Sequence, residues 1–548
     1  MPKSSENSSL LSHLVMEKFW AGLLKKTFHF MHQVCLLTAR SGFWLIYKTH
    51  NSSVNVKNHQ QINPYWRPNV KTRVTLVNPP YPKGAPQSLF IPLGIGYLAA
   101  VLEENQYEVN VLDCQVLRPT RQHLEAELAK SHADIVGVTS STLTYNPAVE
   151  IVQAAKKMLP NALTVMGGPH VTALPEQTLS EAPELDIVVR GEGERTMLEL
   201  ADLASKANLQ NLSKVEGITF RKDGQIQSTG DRDFIQNLDE LPHSAYKHFP
   251  LEKYKIAGKN YLPIITSRGC PFQCTFCLAS KMCGRRFRTR SPKKVLDELE
   301  WLRDTHGGDV FSFYDDTFTF DRKRASDICD EMEARKFHSP WDCRTRVDQI
   351  DKEILTKLKN ANCQLIHFGV ESGSQKMLTA MKKGTTVEKN AWAIQLAKEV
   401  GISVAISVVV GYPGETVEML QQTFDFIRKT KPDFVYMCQA IPYPGTELLD
   451  ILHDLGWEVS TDWNQFDEQS SVFKNPLLPP EKIDAMRGAF YDEFLSPSYF
   501  MHKSVKRDFY SQIMAKTALN HLLWRMKVPK LISAGRKLAP QKEAKLET

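Results

Sequence analysis

Three cysteines, Cys270, Cys274 and Cys277, form the most concentrated group of reactive side chains in this sequence, with the spacing Cys-x3-Cys-x2-Cys. They follow a short apolar segment, and the glycine and proline that flank Cys270 favour a loop wrapped around a bound group. Three thiolates can bind three irons of a 4Fe–4S cluster. The fourth iron then has no protein ligand and can hold a substrate.

Two other interpretations of these cysteines stay open. Cys283 could complete a four-thiolate zinc site, although zinc sites usually pair Cys-x2-Cys units. The thiols could also be reduced residues of a core. The chain has ten cysteines, and those outside this group are scattered. Because the first 30 residues also show no secretory signal, we expect a cytoplasmic protein whose thiols serve metals or catalysis.

The elements that must position the cysteine loop alternate between strands and helices as far as residue 450. The predicted strands are 263–267, 309–316, 341–346, 365–372, 403–411 and 434–441. Six βα units in a row predict a partial (β/α)6 TIM-type barrel, whose chemistry lies at the carboxyl ends of the strands. The cysteines follow the first of these strands, so we expect them at that end of the barrel.

A second α/β pattern precedes the barrel. Its predicted strands are 74–78, 109–113, 134–140, 163–168 and 186–191. Strands that alternate with helices predict a doubly wound parallel sheet, and ligands of such sheets bind outside the carboxyl ends of the strands. Those ends supply the candidate residues Asn78, Pro79, Ser140, Ser141, Gly167, Gly168, Gly191 and Glu192.

Composition and charge divide the chain further. The first 73 residues and the last 48 each carry a net charge of +8, and with +6 for the whole chain residues 74–500 carry −10. An acidic body argues against a nucleic-acid partner. The basic ends are either solvated or in contact with anionic membranes or acidic partners. The sequence contains no run of about 18 uncharged apolar residues, so it predicts no transmembrane helix.

The predicted domains follow from these patterns. They are a basic N-terminal extension (1–73), the doubly wound domain (74–210), a linker (211–262), the barrel (263–450) and a helical C-terminal region with a basic tail (451–548). Within the extension, 19–47 is either an amphipathic interfacial helix or a poorly ordered segment. Near the other end, apolar residues such as Trp524 stand among Arg525, Lys527 and Lys530, which could rest on a membrane.

The cysteine loop resembles that of the radical SAM superfamily, and five later segments agree with the superfamily in order. They are 313–316, 342–346, 367–373, 411–416 and 442–447. The resemblance implies that the three cysteines hold a 4Fe–4S cluster whose open iron binds S-adenosyl-L-methionine (SAM). One electron then cleaves SAM to methionine and a 5′-deoxyadenosyl radical.

The same resemblance implies SAM contacts for Tyr314, Asp315, Asp316, Arg344, Arg346, Glu371, Ser372, Gly411 and Pro413. Either arginine could neutralise the SAM carboxylate, or both could form salt bridges with the neighbouring Asp342, Asp348 or Glu371. Glu371 could accept a hydrogen bond from SAM or close the strand end by bonding backbone amides. Asp315 and Asp316 are a candidate general-base pair, one of which we expect to be structural.

The domain before the barrel resembles cobalamin-binding domains through Ser141-x-Leu143 and Gly167-Gly168. The resemblance implies a cobalamin site at Asn78, Pro79, Ser140, Ser141, Leu143, Gly167, Gly168, His170, Gly191 and Glu192. Many such domains carry a cobalt-binding histidine after the first strand, but residues 78–84 contain none. Tyr81 and the loop 85–95 could cover that face of cobalt instead. His170 is either a contact of the nucleotide tail or a loop histidine bonded to the protein.

Enzymes that combine these two domains include hopanoid methylases and the anaerobic magnesium-protoporphyrin monomethyl ester cyclase. The resemblance implies a methyltransferase that acts on an unactivated carbon through the 5′-deoxyadenosyl radical and methylcobalamin. An oxygen-independent oxidative cyclase is the alternative, and a non-catalytic cobalamin sensor is another. A transfer-RNA methylthiotransferase would need a second cysteine group, whereas the domain before the barrel contains only Cys114.

The resemblance also implies partners. They are a reductant such as flavodoxin or ferredoxin and a small-molecule substrate, for which a lipid or a tetrapyrrole is a candidate. Peripheral contact with a membrane through the basic ends is a further expectation.

Overall fold

The computed structural model of this protein describes residues 72–82 and 90–526. The possible interfacial helix within 19–47, part of the loop predicted to cover cobalt (85–89) and the basic tail 527–548 lie outside the described residues. Within the described ranges, no helix is both long enough and apolar enough to cross a membrane.

The first domain is built on a seven-stranded sheet in the order β2-β1-β3-β4-β5-β6-β7. Its strands are β1 Arg73–Asn78, β2 Glu108–Asp113, β3 Ile135–Thr139, β4 Leu163–Gly167, β5 Ile187–Val189, β6 Ile218–Lys222 and β7 Gln225–Ser228. Its helices are α1 Leu93–Glu104, α2 Cys114–Leu117, α3 Arg121–Ser131, α4 Tyr145–Met158, α5 Pro169–Ala173, α6 Pro175–Glu181 and α7 Glu194–Ser205. The first five strands are parallel, so the predicted doubly wound sheet is confirmed.

The second domain is an open, fully parallel sheet of six strands in the order β15-β14-β13-β12-β11-β8. These strands are β8 Tyr261–Ile264, β11 Val310–Phe313, β12 Trp341–Arg346, β13 Cys363–Glu371, β14 Ser403–Val410 and β15 Phe434–Gln439. Two short strands, β9 Ser267–Arg268 and β10 Arg288–Thr289, pair beside it. The predicted partial barrel is therefore confirmed, and its two edge strands do not pair with each other.

Helices follow the barrel strands and continue into the C-terminal region. They are α8 Ala279–Met282, α9 Pro292–His306, α10 Arg322–Ala334, α11 Lys352–Asn360, α12 Gln375–Ala380, α13 Val387–Val400, α14 Val417–Thr430, α15 Glu447–Asp454, α16 Pro480–Phe494, α17 Pro497–Ser504 and α18 Phe509–Arg525. Local sequence sets their ends. For example, the Ser291 hydroxyl accepts a bond from the Lys294 amide at the start of α9, and Gly307 ends that helix with a left-handed backbone.

The predicted linker, 211–262, differs from the structure in its first part. Residues 218–228 form β6 and β7, which pair antiparallel with the edge of the first sheet. The sheet therefore continues past the predicted boundary at residue 210. A short apolar stretch has the same pattern whether the strand adds to the edge of a sheet or lies in a linker, so the sequence does not distinguish the two cases.

The rest of this segment packs tightly against both domains. The Ala245 amide donates to the Gly96 carbonyl of α1 at 3.0 Å, and the buried Tyr246 hydroxyl donates to the Pro263 carbonyl of β8. Apolar residues of one continuous core extend from β1 to the outer face of the barrel. The two domains consequently share a core and form a rigid junction.

The C-terminal helices close the amino-terminal end of the barrel, which we call the barrel floor. Phe509 and Tyr510 of α18 pack against Val310 at this end. Asp342 is buried here, and its Oδ2 accepts bonds from the hydroxyls of Tyr261 at 2.6 Å and Tyr510 at 2.8 Å. A buried carboxylate needs such partners, so α18 belongs to the barrel's own polar core.

Candidate functional site

The cysteine loop leaves the carboxyl end of the barrel after β9. Gly269 has φ +93°, and a Cβ there would overlap the carbonyl oxygen of Arg286, so only glycine fits. The thiols of Cys270, Cys274 and Cys277 line one cavity of about 370 Å³, which we call the cysteine cavity. Three thiols on one cavity wall, with open space in front of them, fit a cluster with an open iron.

Cys283 does not join this group. It lines a different cavity on the far side of the loop. In the described part of the chain, no three His, Cys, Asp or Glu side chains are arranged to hold a single metal ion.

Arg346 fastens the cysteine loop to the barrel wall. Its Nη1 lies 3.7 Å from Cys274 Sγ, and its guanidinium group lies 3.7 Å from the centroid of the Phe272 ring. The remaining donors bond Asp348 at 2.8 and 2.9 Å and the Lys383 carbonyl at 2.6 Å. Arg346 thus forms the salt bridge with Asp348 that the sequence left open, and four of its five N–H donors contact the protein.

A buried ion pair faces the three thiols across the cysteine cavity. Lys383 Nζ lies 2.7 Å from Glu371 Oε1, and the two side chains are 6% and 8% exposed. Glu371 ends β13 with φ +66°, a left-handed conformation that is strained for this residue type. Lys383 was not predicted, because it stands on a loop with no pattern that marks it.

Gly369 makes room for this ion pair. A Cβ on Gly369 would overlap Glu371 Oε1 and lie 2.8 Å from Lys383 Nζ. We expect Gly369→Ala to displace the pair and weaken SAM binding by about tenfold, the cost of one charged hydrogen bond. Equilibrium dialysis of labelled SAM against the reconstituted protein measures this. Gly488→Ala, on an exposed face of α16 where a Cβ meets nothing within 4 Å, should bind SAM normally.

The two aspartates after β11 have separate environments. Asp315 is buried and accepts bonds from the Thr266 amide and the Ser267 hydroxyl, both at 2.7 Å. It therefore fixes the start of the cysteine loop. Asp316 lines both the cysteine cavity and the neighbouring one. Burial and the charge of Asp315 raise the pKa of Asp316 to about 6.

The segment 411–416, which includes the predicted SAM residues Gly411 and Pro413, lies behind the cavity wall. The Gly411 amide donates to Glu415 Oε2 at 2.6 Å, and Tyr412 bonds Thr275 of the cysteine loop through their hydroxyls at 2.7 Å. Pro413 is buried, and the Ser372 hydroxyl bonds Thr423 at 3.1 Å. Of the predicted SAM residues, the cysteine cavity brings together Asp316, Arg344, Arg346 and Glu371, and not Tyr314, Asp315, Ser372, Gly411 or Pro413.

Glu415 should make stability depend on pH. Burial raises its pKa to about 8, whereas an unfolded glutamate has a pKa of about 4.3. Between these values the unfolded chain binds fewer protons, so folding is favoured as the pH falls. We expect the thermal midpoint of the wild type to rise relative to that of Glu415→Gln between about pH 8 and about pH 5. Equal changes of the thermal midpoint with pH in the wild type and in Glu415→Gln would contradict this.

A second cavity, of about 280 Å³, lies between the carboxyl ends of the first sheet and the cysteine loop, and we call it the sheet cavity. Much of its wall is aliphatic or glycine. Of the residues predicted for cobalamin, it is lined by Gly167, Gly168, Gly191 and Glu192. A Cβ at Gly94 or Gly191 would meet no atom within 4 Å, so these glycines leave space open beside a bound group. Tyr314 lines the same cavity with a buried hydroxyl that has no partner among the described residues.

Other residues predicted for cobalamin bond the protein itself. Asn78 donates to Asp113 at 2.8 Å, and the Ser141 and Thr144 hydroxyls lie 3.0 Å apart. His170 is buried against the Tyr145 ring, and burial lowers its pKa to about 4. His170 thus has the surroundings of a loop histidine held by the protein. The sheet cavity is also not lined by the last three residues predicted for cobalamin, which are Pro79, Ser140 and Leu143.

A buried ionic network at the wall of the sheet cavity joins the two domains. Arg268, directly before the cysteine loop, lies 3.0 Å from Glu192 and 2.7 Å from Glu194 of the first domain. Arg288 of β10 also pairs with Glu192 at 2.9 Å. We call these four residues the interdomain clamp. The sequence marks Glu192 only as a candidate cobalamin contact and carries no pattern that marks Glu194, Arg268 or Arg288.

Comparisons with known proteins agree with this arrangement. The family described as B12 binding domain matches residues 84–201, and the radical SAM superfamily matches residues 264–427. An uncharacterized methyltransferase, PH0819, of Pyrococcus horikoshii is 34% identical over 74% of this chain and 88% of its own length. The anaerobic magnesium-protoporphyrin IX monomethyl ester cyclase of Rubrivivax gelatinosus is 32% identical over 79% and 78% of the two chains.

The fold also has a counterpart among solved structures. The radical SAM methyltransferase TsrM from Kitasatospora setae, determined with cobalamin and a [4Fe-4S] cluster bound, aligns with a TM-score of 0.64. The alignment covers 78% of this chain and 90% of that one at 18% identity. At this identity the likeness establishes the shared fold.

Proposed function

The chain belongs to the radical SAM superfamily and carries a B12-binding domain, and from that premise we propose that it is a cobalamin-dependent methyltransferase acting on an unactivated carbon of a small molecule. One observation carries the proposal. The cysteine cavity and the sheet cavity meet at Asp316, which lines both. A substrate at this junction would lie between the site of radical formation and the site of the methyl group.

The residues around both cavities fit the cofactors of this family. Cys270, Cys274 and Cys277 would hold a 4Fe–4S cluster, and the sheet cavity would hold cobalamin beside Gly191. When bound, the cluster supplies the electron that cleaves SAM to the 5′-deoxyadenosyl radical, and cobalamin carries the methyl group. The partnerless Tyr314 hydroxyl and the open space at Gly191 support this fit.

The remaining cavity residues would bind and orient SAM and substrate. SAM carries an ammonium and a carboxylate on one carbon, and the opposite charges of Glu371 and Lys383 match that pair. Asp316 is ionised for the most part at neutral pH because its pKa is about 6. It would accept a hydrogen bond from a hydroxyl or ammonium group of the substrate at the junction.

An anaerobic assay tests the proposal. The protein is reconstituted with iron, sulfide and cobalamin and given SAM that is deuterated in its methyl group, together with a strong reductant. We expect both 5′-deoxyadenosine and S-adenosylhomocysteine, measured by mass spectrometry, and a trideuteromethyl label in the product when cell extract supplies substrate. An intact cluster with neither nucleoside product would contradict the assignment and revive the cobalamin-sensor interpretation.

An oxidative cyclase is the second candidate function. It is favoured by the similarity to the Rubrivivax gelatinosus cyclase, which extends over 79% of this chain. A cyclase would use the same two cavities and transfer no methyl group. Formation of 5′-deoxyadenosine without S-adenosylhomocysteine or label transfer, in the presence of extract, would therefore favour it over the methyltransferase.

We also propose a flavodoxin or ferredoxin as the electron donor.

We further propose peripheral membrane contact through the last helices. Met501, Val505, Trp524 and Met526 are large apolar residues more than half exposed on this part of the chain. Exposed apolar residues among basic ones favour an anionic lipid surface. Co-sedimentation with phosphatidylglycerol vesicles should fall in the double variant Trp524→Glu, Met526→Glu. Equal sedimentation of variant and wild type would contradict the contact.

A further inference from the structure

Arg344, on the inner face of the barrel, has donors that no protein group uses. Its Nη1 donates to Ser312 Oγ and to the Phe313 carbonyl, each at 3.2 Å, and lies 3.6 Å from Asp342 Oδ1. Both of these hydrogen bonds run from Nη1, so neither engages Nε or Nη2. The side chain is 34% exposed on the cysteine cavity. Arg346, by contrast, is 6% exposed, and all three of its nitrogens contact protein groups.

The position of Arg344 along β12 separates it from the thiols. Residues two apart on a strand lie on the same face, about 7 Å from each other. Arg346 contacts Cys274 at the top of the barrel, so Arg344 lies one layer deeper, toward the barrel floor. Lys383 stands beside Arg346, whose Nη2 donates to the Lys383 carbonyl at 2.6 Å, so Lys383 is the cation that lies in the layer of the thiols.

Arg344 is the charged donor of its layer on the wall of the cysteine cavity. Asp342 lies behind it and already accepts three hydroxyl bonds, from Tyr261, Tyr510 and Ser312. His367 lines the same cavity, and burial together with the positive charge of Arg344 lowers its pKa to about 3. The imidazole is therefore neutral, and Arg344 supplies the positive charge of this layer.

Aromatic rings flank the guanidinium group. It lies 4.2 Å from the centroid of the Tyr314 ring. His367 stacks on Tyr436, with centroids 5.0 Å apart and planes at 23°, and its Nε2 lies 2.7 Å from Ser407 Oγ. Tyr436 is 48% exposed although it belongs to the inner face of β15. Arg344 thus lies on the cysteine cavity, and the exposed ring of Tyr436 adjoins that cavity through His367, which lines it.

We propose that Arg344 binds a carboxylate of the acceptor substrate, whose planar or apolar body lies along Tyr436. The inference rests on the proposed function and names the substrate class of that site. A guanidinium group suits a carboxylate because it donates two parallel hydrogen bonds. The exposed ring of Tyr436 suits a flat or apolar body. The barrel floor then limits how deep that body can reach.

A pair of probes that differ in charge tests the proposal. 2-Naphthoate and the uncharged 2-naphthamide are titrated into reconstituted protein that holds saturating SAM without reductant, and dissociation constants are read from probe fluorescence. We expect the wild type to prefer the carboxylate by about tenfold, as a charge-assisted bond provides. Arg344→Gln should lose this preference, while its dissociation constant for SAM, measured by dialysis, should change less than about threefold.

Two further variants keep the test decisive. Arg344→Lys retains the charge and should keep part of the preference even if the glutamine variant does not fold. Tyr436→Leu should weaken both probes equally and leave the preference intact. A wild type without preference, or an Arg344 variant that loses SAM affinity, would overturn the proposal. A failure of the methyltransferase assignment would appear instead as missing S-adenosylhomocysteine in the wild type, with the probe preference unchanged.

Discussion

Replacing Cys274 with serine is expected to reduce 5′-deoxyadenosine formation to the background of protein that holds no iron. Serine offers no thiolate at neutral pH, and the thiolate is the group that binds iron. Cys274 also lies 3.7 Å from Arg346 Nη1, so the substitution removes a charged contact of the loop as well. Iron and sulfide content and visible absorbance after anaerobic reconstitution report the cluster, and mass spectrometry reports the nucleoside.

Cys283→Ser is the matched control for this experiment. Cys283 stands six residues after Cys277 but lines the sheet cavity rather than the cysteine cavity. We expect this variant to retain iron and to form 5′-deoxyadenosine at the wild-type rate. If it lost iron as Cys274→Ser does, the site would use four thiolates and would have no open iron for SAM. Full iron content in Cys274→Ser would likewise contradict the three-cysteine assignment.

Breaking the interdomain clamp is expected to have the second large effect. In Arg268→Met, the carboxylate of Glu194 loses its cationic partner although it is only 6% exposed, and Glu192, 8% exposed, keeps only Arg288. Removing one partner of a buried ion pair typically costs about 3–5 kcal/mol. We expect a lower thermal midpoint and weaker cobalamin binding, because the clamp lies at the wall of the sheet cavity. Scanning calorimetry and a cobalamin titration measure the two effects.

Arg195→Met provides the comparison for an exposed ion pair. Arg195 lies 3.4 Å from Glu240, and their side chains are 49% and 58% exposed. Such pairs contribute about 0–1 kcal/mol, so the midpoint and cobalamin affinity should stay near those of the wild type. Adding Glu194→Gln to Arg268→Met should restore part of the lost stability, because it removes the buried carboxylate left without a partner. Equal midpoints for Arg268→Met and Arg195→Met would show that the clamp does not stabilise the junction.

The sequence predicts much of this fold because its signals are local. Each parallel strand is a short apolar run between turn residues, and the cysteine spacing lies within eight residues. The clamp lies beyond such signals, because Arg268 meets Glu194 across 74 residues of chain. Lys383 is found only once β13 and its following loop bring it to Glu371. Tertiary packing decides these partners, and one sequence carries no pattern for them.

The residues predicted to bind cobalamin also show that one sequence does not determine which partner a side chain bonds. Ser141 and His170 belong to segments that the family resemblance marks, yet both bond neighbours in the protein. Serine and threonine after a strand can bond a ligand or their own backbone turn, and the residue types are identical in both cases. The glycines at 167, 168 and 191 line the sheet cavity, so the backbone positions were more predictable than the side-chain contacts.

The barrel floor has a consequence for how the protein is made. Asp342 can accept its bond from the Tyr510 hydroxyl only after 168 further residues have been synthesised. Until then this carboxylate has only the hydroxyls of Tyr261 and Ser312 as partners, and the helix that covers it is absent. Domains generally fold as units during synthesis, the N-terminal one first, so the first sheet can form well before the barrel acquires its floor. A chain cut off before α18 would therefore leave the polar core of the barrel open to water.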